Sequence, residues 1–120
     1  MQTTVVIVDD HAGFRRMARR MLDDAGFDVV GEAVDGESAL ATVAILRPKI
    51  VLLDVQLPDI DGFAVARLLE AAGTDAAVIL TSSRSASDYG ARLAESSARG
   101  FIPKAELSGP AVLCLLGAIR

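Results

Sequence analysis

The sequence predicts an α/β fold, a doubly wound parallel sheet with helices on both faces. Short apolar, β-branched runs alternate with stretches of helical periodicity along the whole chain. Two of those runs, Val5-Val6-Ile7-Val8 and Ile50-Val51-Leu52-Leu53, are continuously apolar, as strands buried on both faces are. Both end on acids, Asp9-Asp10 and Asp54. Parallel strands leave their C-terminal ends on one edge of the sheet, where open α/β folds bind ligands.

Strands are expected near 4–8, 28–32, 49–53, 76–81 and 99–102, and helices near 12–25, 36–46, 62–72, 86–96 and 108–119. In the first helix Phe14, Met17, Ala18, Met21, Leu22 and Ala25 form one stripe, and Gly26 ends it in the left-handed conformation. Arg19/Asp23 and Arg20/Asp24 are i,i+4 pairs in the less favourable order. Asp35-Gly36-Glu37-Ser38 supplies capping side chains to the second helix. Pro48 stops that helix and pushes Arg47 towards extended backbone. Asp61 caps the third helix. A hydroxyl-rich loop, Ser82 to Asp88, leads into the fourth. The last helix has no charge before Arg120, so part of its apolar surface is expected to serve a partner or a second copy.

The 120 residues form one expected domain, 1–120, and 52% apolar content gives it a substantial core. A net charge of −4 argues against direct nucleic-acid binding. Cys114, the only cysteine, reads as a small core residue and fits a reducing compartment. The longest uncharged stretch, 107–119, is too short and too broken to span a bilayer, and the start lacks a secretion signal. A cytoplasmic protein is expected.

Three acids on one sheet edge repel. Two unit charges about 4 Å apart cost roughly 4 kcal/mol at an effective dielectric of about 20. The cluster asks for a hard divalent cation, and carboxylate oxygens suit Mg²⁺. Asp54, held on rigid backbone, is the candidate nucleophile, since a carboxylate can form an acyl phosphate. Alone, such an Asp equally caps a turn. Asp10 is the candidate direct metal ligand, with Asp9 acting through water and Gln56 offering its carbonyl. The acid pair can also cap the first helix. His11 adjoins the pair, but Mg²⁺ prefers oxygen, so a solvent-facing histidine is expected. Lys104, one of two lysines, follows Phe101-Ile102-Pro103 and places an ammonium on the same edge. Thr81 and Ser82 end the fourth strand, where a hydroxyl can donate to a phosphoryl oxygen or satisfy loop backbone.

These stretches together resemble the receiver domain of two-component response regulators. They are Val8-Asp9-Asp10-His11, Val29 to Ala33 with Asp35-Gly36-Glu37, Leu52-Leu53-Asp54 through Pro58 and Gly62, and Phe101 with Lys104. The resemblance covers essentially the whole chain and lies nearest receivers that often carry a helix-turn-helix output domain. It implies a flavodoxin-like sheet in order 2-1-3-4-5. It implies that Asp54 is the phosphoacceptor, that Asp10 and the Gln56 carbonyl hold Mg²⁺ with Asp9 assisting, that Lys104 binds the phosphoryl group and that Phe101 is an aromatic switch. The local pattern Leu80-Thr81-Ser82 favours Thr81 as the switch hydroxyl. Ungapped spacing from Asp54 and Lys104 selects Ser82, which is preferred. Ser97 stands where the family usually has glycine. The implied partners are a sensor histidine kinase or phosphotransfer protein, and a second copy through the last helix. The implied output face comprises the fourth helix, fifth strand and last helix. The chain ends on its last helix without a linker, which favours a stand-alone receiver.

Rival readings leave sequence marks. An aspartyl-phosphate phosphatase or phosphotransferase of the haloacid dehalogenase type needs an acid two residues after the nucleophile, where Gln56 stands. A flavin or nucleotide site of this fold needs a phosphate-cradling first loop, and Asp9-Asp10 would repel the anion. A receiver-like module that is never phosphorylated has no use for the full set of acids and Lys104.

Overall fold

The computed structural model describes residues 3–117. Its elements alternate throughout. They are β1 (Thr4–Val8), α1 (Ala12–Asp24), β2 (Asp28–Ala33), α2 (Gly36–Leu46), β3 (Ile50–Asp54), α3 (Gly62–Ala71), β4 (Ala77–Ser82), a 3₁₀ turn (Ala86–Asp88), α4 (Ala91–Ala94), β5 (Gly100–Pro103), a second 3₁₀ turn (Lys104–Glu106) and α5 (Gly109–Leu116). The five strands form one parallel sheet in order β2-β1-β3-β4-β5. This is the expected flavodoxin-like, doubly wound topology.

Strand alternation divides the core. Val5, Ile7, Ile50, Leu52, Ile79 and Ile102 pack with Ala18 and Leu22 of α1 and Val112 of α5. Val6, Val8, Val51, Leu53, Val78 and Leu80 pack on the other face with Ala39 and Val43 of α2 and Phe63, Val65 and Leu69 of α3. Burial on both faces explains why β1 and β3 read as unbroken apolar runs. The central strands are therefore rigid platforms for the residues at their ends.

Capping follows the sequence signals at α2 and α3. The Ser38 N–H donates to Asp35 Oδ1 at 2.8 Å within a full capping box, and the Ala64 N–H donates to Asp61 Oδ1 at 2.9 Å. Gly26 has φ +94°, as expected at the end of α1. Arg47 departs from expectation. It is left-handed, with φ 46° and ψ 59°, not extended. Pro48 disfavours only the right-handed helical region before it, and a left-handed residue ends a helix by reversing the chain.

Four further expectations are corrected. The helix predicted over 86–96 is a 3₁₀ turn followed by the four residues of α4. Serine and aspartate bond locally there: the Ser85 N–H donates to Asp88 Oδ2 at 3.0 Å, and the Ser85 and Ser87 hydroxyls are 2.9 Å apart. Such bonds compete with helix, and Gly90 at φ +54°, ψ −125° breaks the run. Cys114 is exposed, not buried, because α5 turns Val112 and Gly109 inward and places Cys114 on the outer side. On the α1 stripe Ala18 and Leu22 are buried, but Met17 and Ala25 are exposed. The two i,i+4 pairs do not form among the described residues. Instead Arg15 and Arg19 both bind Glu32 on β2, at 2.9 and 2.8 Å. Residues 118–120, including the end of the predicted last helix, lie outside the described residues.

Candidate functional site

Asp9 follows β1 and Asp54 closes β3. These strands are neighbours, with Val8 paired to Leu53, so the sheet register brings the two acids together. Asp9 is 0% exposed and Asp54 2%. Lys104 follows β5, and its long side chain reaches back across the end of β4. Its Nζ lies 2.6 Å from Asp9 Oδ2 and 3.5 Å from Asp54 Oδ2. Phe14 of α1 faces the same ammonium, whose Nζ is 4.4 Å from the ring centroid. Potential ligand atoms of Asp9, Asp10, His11 and Asp54 all lie within 4.8 Å of one another.

Asp9 and Asp54 share one ammonium. Burial, and then the charge of Asp9, push the Asp54 carboxyl above the usual carboxylate range, against the pull of the Gln56 N–H and Lys104. The Gln56 N–H donates to Asp54 Oδ1 at 3.2 Å. Asp9 Oδ1 accepts the His11 N–H at 2.8 Å, and the His11 ring Nδ1 lies 3.0 Å from the same oxygen. Asp9 Oδ2 has the charge contact with Lys104 but no aligned hydrogen-bond donor among the described residues. Asp10 stands at the open rim with its side chain 35% exposed. A pocket with excess negative charge and mostly oxygen donors fits a hard divalent cation.

The loop between β3 and α3 is fixed at both ends. A Cβ on Gly62 would stand 2.5 Å from the Asp54 carbonyl oxygen and 2.8 Å from Val55 Cα, so only glycine allows the approach. The Gly62 N–H donates to the Val55 carbonyl at 2.7 Å. Asp59 reaches out of the loop to cap α2, accepting the Gly36 and Glu37 N–H groups at 2.8 and 2.9 Å. These bonds, that from Gly36 first, hold the Asp59 carboxyl below the usual range.

Both candidate hydroxyls lie at the end of β4. Thr81 pairs in register with Asp54, and its buried Oγ1 has no hydrogen-bond partner among the described residues. Ser82 Oγ lies 2.6 Å from the Tyr89 hydroxyl and accepts the Arg84 N–H at 3.0 Å. Tyr89 in turn meets Phe63 and Phe101 edge-on, with ring centroids 5.5 and 5.9 Å away.

The model of the response regulator receiver domain family matches residues 5–110. The chain belongs to this family. It is similar to the signal receiver domain of NarL from Mycobacterium tuberculosis, with 30% identity and TM-score 0.85 over 97% of this chain and 98% of that one. It is also similar to a LuxR-family two-component response regulator from Aurantimonas sp. SI85-9A1, with 25% identity and TM-score 0.86 over 99% of this chain and 85% of that one. The DNA-binding transcriptional activator EvgA of Escherichia coli K12 is 31% identical over 101 residues, covering 84% of this chain and 50% of EvgA. The chain spans about half the length of the curated relatives it matches.

The molecule is thus a two-component receiver domain, with an acidic cluster at its strand ends that could hold a metal ion. Among the described residues, no helix is long and apolar enough to cross a membrane. The fold brings Asp9, Asp10, Asp54 and Lys104 together and sets Gln56 beside them. Thr81, Ser82 and Phe101 lie along the neighbouring strand ends. His11 is exposed, as expected, yet its ring joins the cluster. Four contacts escaped the sequence reading: Phe14 against Lys104, Asp59 on α2, Tyr89 on Ser82, and Arg15, whose Nη1 donates to the Asp9 carbonyl at 2.8 Å. Each joins residues distant in sequence or across a turn, and no local pattern marks the partner.

Proposed function

We propose that Asp54 accepts a phosphoryl group from a phosphohistidine of a sensor kinase or phosphotransfer protein, in the cytoplasm. An Asp54 carboxylate oxygen attacks phosphorus, the new O–P bond forms as the P–N bond breaks, and the electron pair leaves with the imidazole. The observation that carries this reading is the pairing of Asp9 and Asp54, both buried, with a single lysine at 2.6 and 3.5 Å. Lys104 is suited to neutralise phosphoryl oxygen. Mg²⁺ is the proposed cofactor, held by Asp10, Asp54 and the Gln56 carbonyl, with Asp9 through water. When bound it supplies the positive charge that the acids lack.

Ser82, in preference to Thr81, is the proposed hydroxyl donor to the phosphoryl group, and Phe101 the aromatic side chain that follows it. The proposed output face is α4, β5 and α5, without direct nucleic-acid contact by this domain. Self-association through α5 is part of this reading. Leu113, Leu115 and Leu116 are half-buried there, so the apolar surface available is modest. Sedimentation that shows a monomer with and without beryllofluoride would remove the homodimer.

Intact-mass measurement after incubation with acetyl phosphate and Mg²⁺ tests the core of the proposal. One labile phosphoryl adduct is expected, absent without Mg²⁺ and absent in Asp54→Asn. Undiminished labelling of Asp54→Asn would overturn the assignment.

A further inference from the structure

Ser82 is already engaged. A serine hydroxyl has one proton and two lone pairs. The Arg84 N–H occupies one lone pair at 3.0 Å, and the Tyr89 hydroxyl stands 2.6 Å away. Ser82 is 0% exposed, so water does not compete for its proton. Either hydroxyl of the pair can donate, and among the described residues the phenol oxygen is the one acceptor within hydrogen-bond distance of the Ser82 hydroxyl. Phe101, on β5, has no hydroxyl to offer.

Tyr89 is held at this spot by packing. Its ring is set edge-on between Phe63 and Phe101. Phe63 is itself covered by the Arg92 guanidinium, 4.4 Å from the ring centroid, and Arg92 binds Asp61, the cap of α3, at 2.6 Å. The backbone around Tyr89 is weak by contrast. A single 3₁₀ turn precedes it, and Gly90 at φ +54° separates it from the four-residue α4. Two rings thus fix a phenol carried by a short segment that continues no long helix.

We propose that Tyr89 is a positioning residue that competes with the phosphoryl group for the Ser82 hydroxyl. The inference rests on the reading of Asp54 and Ser82 given above. In the unphosphorylated protein Tyr89 holds the serine proton. When a phosphoryl oxygen takes that proton, the Ser82–Tyr89 bond breaks and the phenol is released. The released residue lies beside Phe101 and against the Phe63–Arg92–Asp61 group, so the exchange reports to the segment between β4 and β5. The switch hydroxyl then acts through two aromatic neighbours, and the hydrogen-bonding one sits outside β5.

Beryllofluoride with Mg²⁺, as a mimic of the bound phosphoryl group, provides the test. Binding is measured by calorimetry for the wild type, Tyr89→Phe, Ser82→Ala and the double variant. Tyr89→Phe keeps both ring contacts and removes only the hydroxyl. It is expected to bind the mimic about 3- to 10-fold more tightly, the change that one net hydrogen bond corresponds to. In the Ser82→Ala background the same substitution is expected to change nothing, an interaction that purely structural loss of the phenol would not produce. Tyr89 is the only tyrosine, and the chain has no tryptophan, so near-ultraviolet absorbance at wavelengths beyond the phenylalanine band reports on this phenol alone. Its spectrum is expected to shift when the wild type is saturated, and to stay unchanged in Ser82→Ala. Equal or weaker binding by Tyr89→Phe, or the same gain without Ser82, would overturn the role of Tyr89 and leave the phosphoacceptor reading intact. A wild type that does not bind the mimic overturns the Asp54 reading and this inference with it. Undiminished binding by Ser82→Ala overturns the choice of Ser82, and the competition falls too.

Discussion

The two sides of this receiver are built to different standards. On the β1–β3 side, the reacting groups sit on strands buried on both faces, and Asp9 and Asp54 are almost wholly enclosed. On the β4–β5 side, the segment between the strands is one 3₁₀ turn, four residues of helix and a run of exposed serines. Few apolar contacts and poorly protected backbone bonds mark the parts of a fold that open at low cost. In the proposed reading the acids hold a cation and a phosphoryl group in one geometry, which a rigid platform provides. The response must move, and a weakly structured segment can be redirected by the few kcal/mol that one site supplies.

Two glycines put this contrast to the largest test. Gly62 lies against the backbone of Asp54 and Val55, and neither can retreat without moving the end of β3. Gly62→Ala is expected to cost about 1–3 kcal/mol of stability, the range for overpacking, and to displace Asp54 from its phosphate chemistry. Gly90 also demands glycine, but through its φ of +54°, and a Cβ there would meet open space. Gly90→Ala is expected to cost about 1 kcal/mol and leave Asp54 phosphorylation at its wild-type rate. Denaturant melts and acetyl phosphate labelling of the two variants check this. A Gly90→Ala protein that labels as poorly as Gly62→Ala would mean the two sides are mechanically one.

The same difference explains what the sequence disclosed. β1 was legible to the residue, and β3 to within one, because strands buried on both faces must be apolar throughout. The acids were legible as a group because like charges gathered on one sheet edge repel, a cost that capping alone does not explain. The region between β4 and β5 was misread as a helix over 86–96. Its local serine and aspartate bonds win there because no apolar stripe pays for the alternative. Cys114 was misplaced for a related reason: α5 is apolar almost all round, so composition could not say which side faces in. Asp59 and Tyr89 were invisible, since each acts on a residue from another element and nothing in the local pattern names the recipient.

A second prediction concerns the charge stored in the rigid side. The folded Asp54 carboxyl titrates above its unfolded value, chiefly through burial. The sign follows from linkage. The ionised group is penalised in the fold, the penalty is absent below the unfolded carboxyl range, and it grows as pH rises through the folded one. Metal-free protein should therefore gain from Asp54→Asn at neutral pH, which leaves the Lys104–Asp9 pair at 2.6 Å as one acid to one base. The gain is expected to be on the order of 1 kcal/mol, or roughly 4 °C in melting temperature for a domain of this size. It should vanish below the carboxylate range. Asp10→Ala should gain less, because its side chain is 35% exposed and solvent screens it. Thermal melts in chelator across pH decide this. A lower melting point for Asp54→Asn would mean that the Gln56 and Lys104 contacts outweigh the cost of burying the charge.

The smallest expected effect lies away from both the site and the output segment, at Arg47. This residue ends α2 at φ 46°, the one non-glycine with positive φ among the described residues. A side chain pays roughly 1 kcal/mol for the left-handed conformation, and glycine does not. Glycine also has more freedom to lose from the unfolded chain, which offsets part of the gain. Arg47 is exposed and makes no side-chain ion pair among the described residues, so little else is lost on replacement. Arg47→Gly is therefore expected to raise stability by about 0.5 kcal/mol, read as a higher urea midpoint with an unchanged slope. Phosphorylation of Asp54 should not change. A fall in stability would show that the residue before Pro48 is extended, as the sequence alone suggested, since glycine in an extended segment only adds unfolded-state entropy.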